Sequence, residues 1–198
     1  GDDAIKIGSD YSLGDIRPCF NINVANCKIS AGCNGIMIGT GTVGPISNCT
    51  FENIEIDFAG KNGIGITSCD GSVIGGLVYR NISMKKVLSP FFLKISDVKR
   101  IASGQVYETG KIKDVLFENI TASDISNPIN GEMTNVIWGK SNSFIENIEF
   151  RNIDITVKGG QGIEKSKITP PDNDEKYPQD LVKDILKGPF PSYGYYIR

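Results

Sequence analysis

The chain has 198 residues, with 21 basic and 23 acidic side chains, a formal net charge of −2 and no histidine. That balance, without a basic cluster, argues against a nucleic-acid-binding face, and the lack of imidazole excludes a Ser-His-Asp triad, a Cys-His pair and a His-ligated zinc. Apolar residues at 39% and charged residues at 22% fit one globular domain, and no apolar run reaches the roughly 18 residues that span a bilayer.

The chain opens on Gly1-Asp2-Asp3-Ala4-Ile5-Lys6-Ile7-Gly8-Ser9, without Met and without a leader pattern. Acid–base chemistry must rest mainly on carboxylates, and two stand here side by side. If a strand buries Ile5 and Ile7, an unbroken strand also points Asp3 inward and Asp2 outward. A bend before the strand instead puts both carboxylates at one edge of a groove; an acidic turn without chemistry is the alternative. Tyr11 and Arg17 follow in the next loop, an aromatic and a basic group close in sequence to the pair. The five cysteines, Cys19, Cys27, Cys33, Cys49 and Cys69, form no C-x-x-C metal signature. They read as free thiols packed like small hydrophobes, with a Cys19–Cys27 disulfide as the alternative in an exported protein.

One short pattern recurs five times, an alternating apolar strand with an asparagine at its centre: Asn26, Asn53, Asn81, Asn119 and Asn152, spaced by 27, 28, 38 and 33 residues. An aromatic or apolar residue stands two before each asparagine, and apolar residues tend to stand one and three after it. This is a period-two strand signal whose phase changes at the asparagine, marking a bend. Gly35-Ile36-Met37-Ile38-Gly39 and Gly63-Ile64-Gly65-Ile66 are further short strands at equivalent places in successive repeats. The repeats lack the long 3.6-residue periodicity of helical solenoids, the leucines of a horseshoe and the hairpins of a propeller.

An all-β fold, a right-handed parallel β-helix, fits best, with five or six coils over residues 1–158. The repeated asparagines stack into a ladder that satisfies buried polar groups at the bends. Asn48-Cys49-Thr50, Asn81-Ile82-Ser83 and Asn119-Ile120-Thr121 match the glycosylation sequon, yet two of these asparagines are ladder residues and read as structural. The longer intervals, 90–110 and 127–140, read as excursions that carry binding residues. Residues 159–198 form a loop, a short helix over 179–187 and an extended aromatic tail that caps the last coil.

The acidic opening, the later Asn26-Cys27-Lys28-Ile29-Ser30-Ala31-Gly32 and Gly35-Ile36-Met37-Ile38-Gly39-Thr40, the asparagine strands, Pro90-Phe91-Phe92-Leu93-Lys94 and the closing Pro191-Ser192-Tyr193-Gly194-Tyr195-Tyr196 together resemble glycoside hydrolase family 28, the polygalacturonases and related pectin hydrolases. The resemblance implies hydrolysis of an α-linked, galacturonic-acid-containing or related pectic polysaccharide with inversion. One acid protonates the leaving oxygen and a carboxylate on the opposite face activates water, across a gap of roughly 6.5–9.5 Å. By the same resemblance Asp2 is the acid and Asp3 a water-activating carboxylate.

The family's Gly-His-Gly motif falls on Gly32-Cys33-Asn34, and its Arg-Ile-Lys motif on Phe92-Leu93-Lys94. This leaves Cys33, Asn34 and Lys94, with Arg17, Tyr11 and Lys99, as substrate-binding candidates. The family's further aspartate falls upstream of Gly1, so the chain reads as the C-terminal part of a longer β-helix. The resemblance implies no metal and no organic cofactor, a polysaccharide partner rather than nucleic acid or membrane, a monomer, and a secreted or periplasmic location. Two other readings remain: a β-helix that binds glycan without cleaving it, and a lyase or epimerase on the same fold.

Overall fold

The computed structural model describes residues 1–98, 108–125, 135–157 and 194–198. The strands are β1 (Ile5–Ile7), β2 (Cys19–Ala31), β3 (Ile36–Ile38), β4 (Ile46–Ser68), β5 (Val73–Lys85), β6 (Val87–Ile95), β7 (Lys111–Ile125), β8 (Asn135–Trp138), β9 (Ile145–Val157) and β10 (Tyr195–Ile197). All pair in parallel, and the described residues form a right-handed β-helix of about five turns without a helix. One side stacks β2, β4, β5, β7 and β9; another stacks β1, β3, the end of β4, β6, β8 and β10.

The long strands are continuous because each asparagine bends the chain without breaking the ladder. Asn26, Asn53, Asn81, Asn119 and Asn152 all adopt left-handed backbone, with φ of 51° to 57°, a conformation asparagine tolerates and β-branched residues do not. Each later amide donates Nδ2 to the Oδ1 of the asparagine one coil before, at 3.2, 3.0, 3.1 and 2.9 Å in chain order.

The ladder differs from expectation in lying outside the core: all five asparagines are exposed. A positive-φ residue turns the chain so that residues two before and one after it face inward, which leaves its own side chain on the convex surface. A second ladder stands five residues earlier, where Asn48 donates to Asn21, and Asn147 to Asp114 at 2.7 Å. All three sequon asparagines therefore sit in ladders with their amide nitrogens engaged.

Inside the coils the residues two before the asparagines make a ring stack. Phe51, Tyr79, Phe117 and Phe150 follow one another at centroid distances of 4.7, 5.1 and 4.9 Å, within 18° of parallel. Each such pair contributes about 0.5–1.5 kcal/mol beyond its buried area. Isoleucines from both sides fill the rest of the core, among them Ile36, Ile38, Ile64 and Ile66 of the successive glycine-flanked strands.

The interval 90–110 stays in the stack at its start. Residues through Ile95 continue β6, because Phe91, Leu93 and Ile95 face the core; likewise 135–138 is strand β8. Lys99 and the expected helix over 179–187 lie outside the described residues. At the far end, Tyr195–Ile197 adds a strand to β8, and the Tyr195 ring meets Phe150 at 5.2 Å. All five cysteines are free, so no disulfide joins Cys19 to Cys27.

Candidate active site

The acidic pair sits on a bend that the chain builds three times. Gly1-Asp2-Asp3-Ala4-Ile5, Gly32-Cys33-Asn34-Gly35-Ile36 and Gly60-Lys61-Asn62-Gly63-Ile64 lead into stacked strands whose isoleucines are in register. The first glycine is fixed by close approach: a Cβ on Gly32 would lie 2.6 Å from the Gly1 carbonyl oxygen, and one on Gly60 would meet the Gly32 oxygen at 2.2 Å. Only glycine lets the coils stack there.

The third position of the bend forms an inner ladder. The Asn34 backbone N–H and side-chain Nδ2 both donate to Asp3 Oδ1, at 3.0 and 2.7 Å. Asn62 repeats the pattern on Asn34 Oδ1, at 3.2 and 2.9 Å. Asp3 thus terminates a chain of amides as its final acceptor, half-buried and fixed in orientation. Asn34 is 1% exposed, and both its backbone N–H and its side-chain amide are engaged with Asp3. The ladder ends after Asn62, whose Oδ1 has no partner among the described residues; the next register position is Ser89.

The second position carries the chemistry outward. Asp2 is exposed, and ligand atoms of Asp2, Asp3 and Cys33 lie within 4.8 Å of one another. Cys33 thus lies beside the acidic pair. Burial holds the Cys33 thiol above its usual range; the Lys61 side chain hydrogen-bonds it and opposes that rise, whereas Asp2 adds to it. The thiol is neutral at pH 7. One exposed carboxylate, one fixed carboxylate and a neutral thiol do not by themselves define a cation site.

The expected gap between carboxylates is not met by the pair as it stands. Oxygens of Asp2 and Asp3 approach within 4.8 Å, short of the roughly 6.5–9.5 Å that leaves room for an attacking water between opposed groups. Adjacent residues of one bend place their carboxylates side by side, and Asp2 must rotate outward to widen the gap.

The other expected binding residues lie elsewhere. Lys94 is three strands from β1 in the stack, 1% exposed, with Nζ donating to the Ile95 carbonyl at 2.9 Å and standing 4.6 Å from the Trp138 ring centroid. Tyr11 and Arg17 belong to the loop that follows β1, whereas the acidic pair precedes it. Tyr11 is half-buried and accepts the Gly14 N–H at 2.9 Å, and the exposed Arg17 faces Asp15 at 3.7 Å. Lys61 did not emerge from the sequence motifs. Alignment of the three Gly-x-Asx bends with one another is the signal that locates it.

Fold and site define a parallel β-helix that presents paired carboxylates at a strand edge. The chain belongs to the glycosyl hydrolases family 28, whose model matches residues 1–173. Membership supports pectin-type glycosidase activity and a polysaccharide substrate at the level of the family, whose enzymes are typically extracellular. No curated protein and no solved structure shows significant similarity to the chain. Among the described residues no helix is long and apolar enough to cross a membrane.

Proposed function

We propose that the protein hydrolyses an α-linked, galacturonic-acid-containing or related pectic polysaccharide, with Asp2 as general acid and Asp3 as the carboxylate that activates water. The observation that carries this reading is the asymmetry of the pair: Asp2 is exposed at the strand edge, while Asp3 is held by two donors from Asn34. In the step itself Asp2 gives its proton to the glycosidic oxygen as that bond breaks. Water adds its oxygen to the anomeric carbon from the opposite face and loses a proton to Asp3. Inversion is the outcome the family resemblance implies. Cys33 stands at the resemblance's histidine position and cannot supply imidazole's charge or its two-sided hydrogen bonding.

One observation favours a second stereochemistry. An approach within 4.8 Å is nearer the roughly 5–5.5 Å separation of retaining enzymes, in which a carboxylate attacks the sugar first.

The test is a reducing-end assay on polygalacturonate, rhamnogalacturonan and neutral glycans with wild type, Asp2→Asn and Asp3→Asn. The reading expects hydrolysis of a uronide by wild type and a loss of roughly a hundredfold or more in each variant. Equal activity in all three proteins would sink the assignment, and a product absorbing as an unsaturated uronide would replace it with a lyase.

A further inference from the structure

A uronate substrate brings its own negative charge to a site that already holds Asp2 and Asp3. Approach is repulsive unless a cation stands within reach. Of the described basic residues around this edge, Lys94 is buried at a different place in the stack, and Arg17 lies beyond the other end of β1. Lys6 projects from the β1 strand itself, paired with Met37. Lys61 differs from these. It occupies the same position of the repeated bend as Asp2 and Cys33, and its N–H donates to the Cys33 carbonyl at 2.8 Å. The side chain is half-exposed and reaches the Cys33 thiol, which in turn reaches Asp2. Two coil steps of about 4.8 Å separate the Asp2 and Lys61 backbones, and the flexible lysine stem shortens that distance for the ammonium.

We propose that Lys61 is a specificity-determining residue that recognises the carboxylate of a uronic-acid unit bound at the Asp2–Asp3 edge, in the role expected of Lys94. This rests on the uronide substrate proposed above. The Asp2–Cys33–Lys61 column then runs from acid through neutral thiol to cation, so that reacting groups and carboxylate recognition occupy neighbouring coils. Lysine serves here as a compact point charge, which arginine replaces in charge though not in geometry.

Affinity electrophoresis in polygalacturonate and in fully methyl-esterified pectin tests the assignment for wild type, Lys61→Gln, Lys61→Met and Lys61→Arg, alongside kcat and KM on both polymers. Thermal melts identify any variant that is misfolded. The expected result is a loss of about tenfold to a hundredfold in polygalacturonate affinity, with a matching rise in KM, for Lys61→Gln and Lys61→Met. Binding of the neutral ester is unchanged, and Lys61→Arg retains most of the affinity. Variants that bind polygalacturonate like wild type, or lose both polymers alike, overturn the proposal. A wild type that binds polygalacturonate without cleaving it overturns the hydrolytic reading, while the electrophoretic comparison still decides the role of Lys61.

Discussion

Tyr79 lies in the middle of the ring stack with 0% exposure, 4.7 Å from Phe51 and 5.1 Å from Phe117, and its hydroxyl has no partner among the described residues. Every other ring in that stack is phenylalanine. Tyr79→Phe therefore removes a buried, unpaired polar group and keeps both stacking contacts. An unsatisfied buried hydroxyl costs about 1–3 kcal/mol, and the small void left behind, at about 24 cal/mol per Å3, returns only a few tenths. The variant is expected to gain about 1–2 kcal/mol, or roughly 3–6 °C in Tm for a chain of this size.

The pH dependence supplies an independent check. Burial raises the Tyr79 pKa well above that of free tyrosine, so the folded state keeps a proton that the unfolded state releases near pH 10. Wild-type stability is therefore insensitive to this group below about pH 10 and falls as pH rises further, by about 1.4 kcal/mol per unit while only the unfolded state ionises. Phenylalanine has no such loss. Urea unfolding of both proteins between pH 7 and 11 measures the difference, and the Tyr195 phenol, also raised by burial, is common to both and cancels. A variant less stable than wild type, or a stability difference that stays flat through pH 11, refutes the argument.

In the second surface ladder Gly76 occupies the place between Asn48 and Asp114, at φ +63°, and a Cβ there meets its nearest atom at 3.4 Å, an ordinary contact. Gly76→Asn is expected to stabilise by about 0.5–1.5 kcal/mol through lost unfolded-state freedom and one restored amide bond. Because Asp114 can only accept, adding Asp114→Asn completes the ladder and gains more than the sum of the single changes, which a double-mutant cycle in urea detects. Cys33, with its thiol raised mainly by burial, is expected to alkylate more slowly than free cysteine at pH 7 and to keep gaining rate above pH 9. Its adduct, placed against Asp2, is expected to abolish hydrolysis, read by mass spectrometry and reducing-end release on the same sample.

The asparagine repeat was legible because it answers a local demand. A left-handed bend selects asparagine, and stacking repeats that demand in every coil, so residue type and spacing together expose the architecture. The bend that carries the candidate site was harder to see. Its second position holds Asp2, Cys33 and Lys61 in turn, three unlike side chains whose kinship lies only in the flanking glycine, Asx and isoleucine. The burial of Lys94 was hard to read for a different reason. Alternation along a strand separates inside from outside only when one face meets water, and β6 is buried at all nine positions. A lysine on its outer face is therefore buried beside Trp138. Asn34, picked out by its place in a motif, is likewise buried and bonded to Asp3, which its position in the sequence does not disclose.

The proposed reaction is cleavage of a uronide by the Asp2–Asp3 pair with inversion. It is tested most directly by proton NMR of the first product released from an α-linked oligogalacturonate by wild type, Asp2→Asn and Asp3→Asn. The expected result is the β anomer as the first product of wild type and no product above background from either variant, each folded as judged by its melt. An initial α anomer, or product formed equally by the variants, contradicts it.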